Sequence, residues 1–246
     1  MGRSHTVADA HTAFGDLRAS GFDNVSLDLI AGFPGQTMES LKKSLGSILD
    51  LKPEHMSVYL LEVKPGTGLH RAINAGELPA PDEDLAADMY ETLCRHATSA
   101  GYEHYEISNF ALPGKQSLHN LKYWTDCVYI GFGPGAHSMD GRTRYANFGD
   151  LNDYERAVEA GDLPIEIKTE LTPEMRFKDA LIMGLRLVAG LNLELMSDRY
   201  EVDARQFIAR TVGDLLDQGL LRIQGEILFL TDRGRLLSNM VFSRWV

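Results

Sequence analysis

A chain of 246 residues with 35 acidic against 24 basic side chains, a net charge of −11, lacks the basic excess that a nucleic-acid reader uses to displace counterions. No apolar run approaches the roughly 20 residues of a membrane helix, and residues 1–15, with Arg3, His5, Asp9 and His11, lack a secretory apolar stretch, so a cytoplasmic location is expected. With only Cys94 and Cys127, neither a disulfide framework nor a three-thiolate metal centre is expected.

Val7, Ala10, Phe14 and Leu17 recur at spacings of three and four and predict a first helix that stops at Gly21. Residues 25–30 alternate as a buried strand, with Val25, Leu27 and Leu29 on one face and Ser26, Asp28 and Ile30 on the other. The turn Gly32-Phe33-Pro34-Gly35-Gln36 leads into a helix capped by Thr37 and striped by Met38, Leu41, Leu45 and Ile48. A strand over residues 56–63 then completes a strand-helix-strand unit, which implies parallel neighbours joined by a right-handed crossover. Residues 64–81 read as a loop with one helical turn. Asp82 caps a helix running to Ala100, with Leu85, Met89, Leu93 and Ala97 on one face and Cys94 as a small buried hydrophobe.

Residues 105–110 and 128–132 read as further strands on either side of a loop. The glycines of Gly131-Phe132-Gly133-Pro134-Gly135 allow close backbone approach, either to a ligand or, as a tight turn, to a packed neighbour. All the net acid lies in residues 1–167, which hold 24 acidic and 13 basic residues, whereas residues 168–246 hold 11 of each. That shift, with Gly161-Asp162-Leu163-Pro164, places a domain boundary between residues 1–166 and 167–246. In the second part, Thr172-Pro173 starts a helix with Phe177, Leu181, Leu185 and Val188 inward, closed by Gly190. A helix over 204–217, short strands over 220–223 and 227–230, and a closing helix from Thr231 toward Trp245 make a winged-helix-like α+β pattern.

The densest chemistry is His119-Asn120-Leu121-Lys122-Tyr123-Trp124, which gathers an imidazole, an amide and two large aromatics. Imidazole is a good axial ligand for haem iron, and flat rings match a porphyrin face. The same residues could equally cap backbone groups and fill core. The segment resembles the H-N-x-x-Y-W signature of the HemW-type heme chaperones, within the oxygen-independent coproporphyrinogen III oxidase family of radical SAM proteins. The likeness extends from Met1-Gly2-Arg3-Ser4-His5, through Leu27-Asp28-Leu29-Ile30, to Leu230-Thr231-Asp232-Arg233-Gly234.

This resemblance implies an α/β fold: the C-terminal part of a partial (β/α) radical SAM barrel with a strand extension, then the small C-terminal domain. It implies haem contacts at His119, Asn120, Tyr123 and Trp124, with His119 on the iron. Contacts to S-adenosylmethionine are implied at Arg3 and Asp28, with Glu62 and His137 as lesser candidates. From the residues alone, Asp28 reads equally as a strand-end carboxylate, whereas Glu62 reads rather as a rim carboxylate, His137 as a surface histidine and Glu106 as a strand terminus. The family's C-x3-C-x2-C motif, which holds a 4Fe-4S cluster, is absent, so the chain is expected to be a C-terminal part that is inactive as an enzyme alone.

The expected function is haem binding and delivery to acceptor proteins, with S-adenosylmethionine and the 4Fe-4S cluster confined to full-length relatives. One alternative is the sister activity, oxidative decarboxylation of coproporphyrinogen III. A second is a winged-helix nucleic-acid-binding module, against which the charge argues. Strands at the open side of an incomplete barrel would expose unpaired backbone, which makes association through that edge an expectation too.

Overall fold

The computed structural model describes residues 5–246, and the chain divides into two compact units, one through Ser117 and one from Leu118 to Val246. The first unit opens with α1 (Val7–Ala19), whose N-cap Thr6 and Asp9 form a reciprocal capping box. Strand β1 (Ser26–Ala31), helix α2 (Met38–Leu51) and strand β2 (His55–Leu60) make the strand-helix-strand unit, and β1 and β2 pair in parallel. Helices α3 (Gly68–Asn74) and α4 (Glu83–Ser99) follow, then a hairpin of β3 (Glu103–Glu106) and β4 (Asn109–Ala111). The sheet order is β1-β2-β4-β3, with β1 at one edge and β4 antiparallel to both its neighbours.

Period-two alternation divides this sheet cleanly. Met56 and Val58 point toward α2 and α4, where Leu41, Leu45, Met89, Leu93 and Phe110 are buried with them. Burying each such side chain contributes roughly 1.5–3 kcal/mol. The opposite face carries Ser26 and Asp28 on β1 against His55 and Ser57 on β2.

The second unit begins with α5 (Leu118–Trp124), followed by β5 (His137–Met139), β6 (Thr143–Asn147), α6 (Leu151–Glu159) and β7 (Ile165–Glu170). The three strands form an antiparallel sheet in the order β5-β6-β7. Then come α7 (Pro173–Gly184), β8 (Leu191–Asn192), α8 (Leu193–Tyr200), α9 (Ala204–Asp217), β9 (Leu221–Gln224) and β10 (Ile227–Leu230). The helix-strand-helix-helix-strand-strand order and the sheet β8-β10-β9 are winged-helix-like. Helices α10 (Asp232–Leu236) and α11 (Ser238–Phe242) close the chain. Phe177 anchors this core, with its ring edge-to-face against Tyr200 at 5.9 Å and Phe207 at 5.0 Å.

Several elements differ from the sequence reading for local reasons. Only Phe14 of the first helix's stripe is buried, while Val7 and Leu17 are exposed. Residues 105–110 are two strands, because the Glu106 carboxylate accepts the Ser108 N–H at 2.8 Å and the Asn109 side-chain amide, bending the chain at residues 107 and 108. Residues 128–132 are held to β5 by a single bridge, Tyr129 to Met139, rather than as a full strand. The loop expected around His119 is the helix α5, and α8 is an additional helix. The closing helix breaks at Leu237. The boundary expected near residue 166 falls in β7, inside the second unit.

Candidate functional site

Helix α5 is short, and its C-terminus is fixed by backbone geometry. The Cys127 N–H donates to the Lys122 carbonyl at 2.9 Å, and the Asp126 N–H to the Tyr123 carbonyl at 3.3 Å. Asp126 sits at φ 52°, taking the left-handed position that glycine usually fills in this type of helix stop. The Asp126 carboxylate makes that position tenable: it accepts from the Tyr200 hydroxyl and pairs with Arg199 at 3.1 Å and Arg176 at 3.7 Å. Helix α5 also packs on α7, with the Arg186 guanidinium 4.4 Å above the Trp124 ring.

At helical spacing, positions 119, 122 and 123 share one face. His119, Lys122 and Tyr123 all line an open groove of about 860 Å³, within the range of roughly 300–1,000 Å³ common for small-molecule and cofactor sites. His119 is exposed, with Nε2 3.4 Å from the Tyr123 hydroxyl and the two rings edge-to-face at 5.2 Å. Tyr123 in turn meets Tyr129 edge-to-face at 4.8 Å. Burial in the groove wall raises the Tyr129 phenol above its ordinary pKa.

The opposite walls are mainly apolar. Val128, Ile130 and Phe132 lie at alternate positions and are exposed, Phe132 to 87 %, and Leu163 is exposed to 78 %. They line the groove with Met139, Val158 and Ile165. Contiguous exposed apolar surface of this kind marks interaction or ligand sites on an otherwise charged chain. Asp140 is the carboxylate of the lining. It accepts the Tyr145 hydroxyl at 2.7 Å and the Arg142 and Thr143 N–H groups at 2.8 and 2.7 Å. Those hydrogen bonds lower its pKa to about 2, so the group stays an anion and ties the β5–β6 turn.

The glycine-rich turn spends its donors internally. Gly131 donates to the Ser138 hydroxyl, Gly133 to the Tyr154 hydroxyl and Gly135 to the Phe148 carbonyl, at 3.0, 3.2 and 2.8 Å. Gly131 is required sterically as well, since a Cβ there would lie 2.2 Å from the His137 carbonyl oxygen. The turn therefore packs residues 128–132 against β5 and shapes the groove wall; its amides are not offered to a ligand.

Of the residues singled out from sequence, His119 and Tyr123 meet in the groove. Asn120 and Trp124 are not among its lining residues; Trp124 turns toward Arg186 instead. His137 is exposed on β5 and does not line the groove either. Asp28 is exposed on β1, opposite Ser57, and Glu62 is an exposed carboxylate 3.7 Å from Lys64. Both belong to the first unit. Arg3 lies outside the described residues. Lys122, Tyr129, Ile130, Phe132 and Asp140 were not singled out. Their signal was the alternation of Val128, Ile130 and Phe132 beside the aromatic motif, which reads as an ordinary strand until the groove is seen.

The cysteines do not fit an iron–sulfur cluster. Cys94 is half-buried in α4 and Cys127 exposed beyond α5, one in each unit, short of the three thiolates such a cluster takes. Among the described residues, no group of three or more His, Cys, Asp or Glu is placed to hold a metal ion. No helix among them is long and apolar enough to cross a membrane.

Residues 171–237 match the HemN C-terminal domain family, which covers the winged-helix-like part. The whole chain aligns with the heme chaperone HemW of Bacillus subtilis at 36 % identity, covering 65 % of that protein. It aligns over 98 % of its length with heme chaperone HemW of Mycobacterium tuberculosis at 35 % identity, covering 60 % of it. The mitochondrial radical S-adenosyl methionine domain-containing protein 1 of Danio rerio is 31 % identical over 95 % of the chain and 54 % of its own length. The chain thus spans between about half and two thirds of these relatives. In fold it matches coproporphyrinogen III oxidase (HemN) from Escherichia coli, a radical SAM enzyme, with a TM-score of 0.79, 22 % identity, and coverage of 99 % of this chain and 59 % of that one. Over its whole length the chain is similar to the HemW heme chaperones, with a HemN-like α/β fold and a match to the HemN C-terminal domain in its second unit.

Proposed function

We propose that this chain is the haem-holding part of a HemW-like chaperone, taking haem into the groove beside α5 and passing it to acceptor proteins. One observation carries the reading: an exposed imidazole, His119, stands with Tyr123 on the wall of a groove whose other walls are apolar. Iron would be held by the His119 imidazole, and the ring face would lie against the apolar walls. Tyr123 touches the imidazole and orients it, a role that outer residues take around metal-bound histidines. Trp124 supports the helix from behind, through its stack with Arg186. An open groove suits a carrier, because cargo that must be handed on cannot be sealed in.

The fold shared with HemN favours a second reading, oxidation of a coproporphyrinogen. It is the weaker one for this chain, because the electron-donating cluster that such chemistry needs has no three-thiolate site here. The experiment is a haem titration followed by the Soret band. His119→Ala is expected to shift the band and to weaken binding at least about tenfold. An unchanged spectrum in the loaded variant would remove His119 from the iron.

A further inference from the structure

The groove that we read as the haem site has an asymmetry in charge. Its lining holds one ammonium, Lys122, whose side chain makes no hydrogen bond or ion pair among the described residues. The one carboxylate of the lining, Asp140, is occupied by the Tyr145 hydroxyl and two backbone amides. Everything else that Lys122 faces there is aromatic, aliphatic or neutral.

A haem is not uniform around its rim. One edge carries two propionate carboxylates and the rest is hydrocarbon. A carboxylate brought against an apolar wall without a partner carries a desolvation cost, whereas one beside a free ammonium gains a charge-assisted hydrogen bond. His119 and Lys122 stand three residues apart on one helix face, roughly 5–6 Å between their Cβ atoms, and the lysine stem is long and flexible. A ring held at its centre by His119 therefore has its rim within the sweep of Lys122.

We propose that Lys122 sets the orientation of the bound tetrapyrrole by pairing with a propionate, and so makes the groove selective for macrocycles with free carboxylates. This rests on the haem reading of the groove. The carboxylate edge points toward α5, and the hydrocarbon edge toward Ile130, Phe132 and Leu163.

The test compares iron protoporphyrin IX with its dimethyl ester, which keeps iron and ring but blocks both carboxylates. Each is titrated into the whole chain, into Lys122→Gln, and into Lys43→Gln, which loses the same charge from an exposed position on α2. The unaltered chain and Lys43→Gln are expected to prefer the free acid about tenfold, equivalent to about 1.4 kcal/mol. Lys122→Gln loses that preference by weakening only the free acid, and its circular dichroism in the Soret region changes. A Lys122→Gln chain that keeps the preference, or an unaltered chain that binds acid and ester equally, overturns the proposal while leaving the haem site standing. If the unaltered chain binds neither, the haem reading falls and the proposal falls with it.

Discussion

His55 shows how one residue couples the sheet to solution conditions. It is buried on the polar face of β2, with Nδ1 2.8 Å from the Ser26 hydroxyl and Nε2 2.8 Å from the Tyr105 hydroxyl. A neutral ring serves both partners, one nitrogen donating and the other accepting. Tyr105 also accepts the Ser117 N–H at 3.2 Å, so the chain of bonds runs from β1 to the last residue before α5. Burial lowers the His55 pKa below its ordinary value, and the nearby Asp28 carboxylate offsets this only in part. The unfolded chain therefore binds the proton more readily than the folded one. Stability contributed by the neutral ring is fully present above about pH 6.5 and is lost as the pH falls below it, by at most about 1.4 kcal/mol per pH unit. Urea unfolding between pH 5 and 7.5 should show stability rising with pH, with a flatter profile for His55→Gln. Identical slopes in the two proteins would remove His55 as the cause.

The elements were legible wherever a cap and a full helical period coincide. Thr37, Asp82 and Thr172 each accept the N–H three residues on, at the positions read from sequence, and α9 spans the expected residues. The short strands of the C-terminal hairpin were legible from the turn between them, but short helices were not, because about two turns repeat the helical period too few times. The His119 segment, seven residues long, is such a case: it reads as a loop from sequence and is the helix α5. Helix α8 buries Leu193, Met196 and Tyr200 at helical spacing, but eight residues directly after the two-residue strand β8 are too few for that pattern to stand out. Trp124, a ring contact by the resemblance, lies beneath the Arg186 guanidinium, a placement that residue type alone does not give. Gly190 supplies an element-level prediction. It sits at φ 73°, and a Cβ there would come within 2.3 Å of the Leu228 carbonyl oxygen on β10. Gly190→Ala should destabilise the second unit by about 2–4 kcal/mol, the sum of left-handed strain and overpacking, measured as a lowered urea midpoint.

For the whole molecule, charge argues against the winged-helix motif acting on nucleic acid. Three arginines of that part are paired with carboxylates: Arg205 with Glu226, Arg235 with Asp232 and Arg244 with Asp214. The chain around it is acidic by 11 charges. Fluorescence anisotropy of a labelled duplex should stay flat up to about 10 µM chain at physiological salt, a concentration at which non-specific DNA binders already respond. A rising anisotropy would reopen that function.

The carboxylate of Asp126 gives the winged-helix part a different use. Lying two residues beyond Trp124, it is gripped by Arg176 from α7 and by Arg199 and Tyr200 from α8. Helix α5 is thus bolted to α7 and α8 rather than merely strung between strands. The C-terminal domain serves as the chassis on which the imidazole rides, and a chain cut at residue 166 would carry every side chain proposed to hold haem with nothing to mount them on.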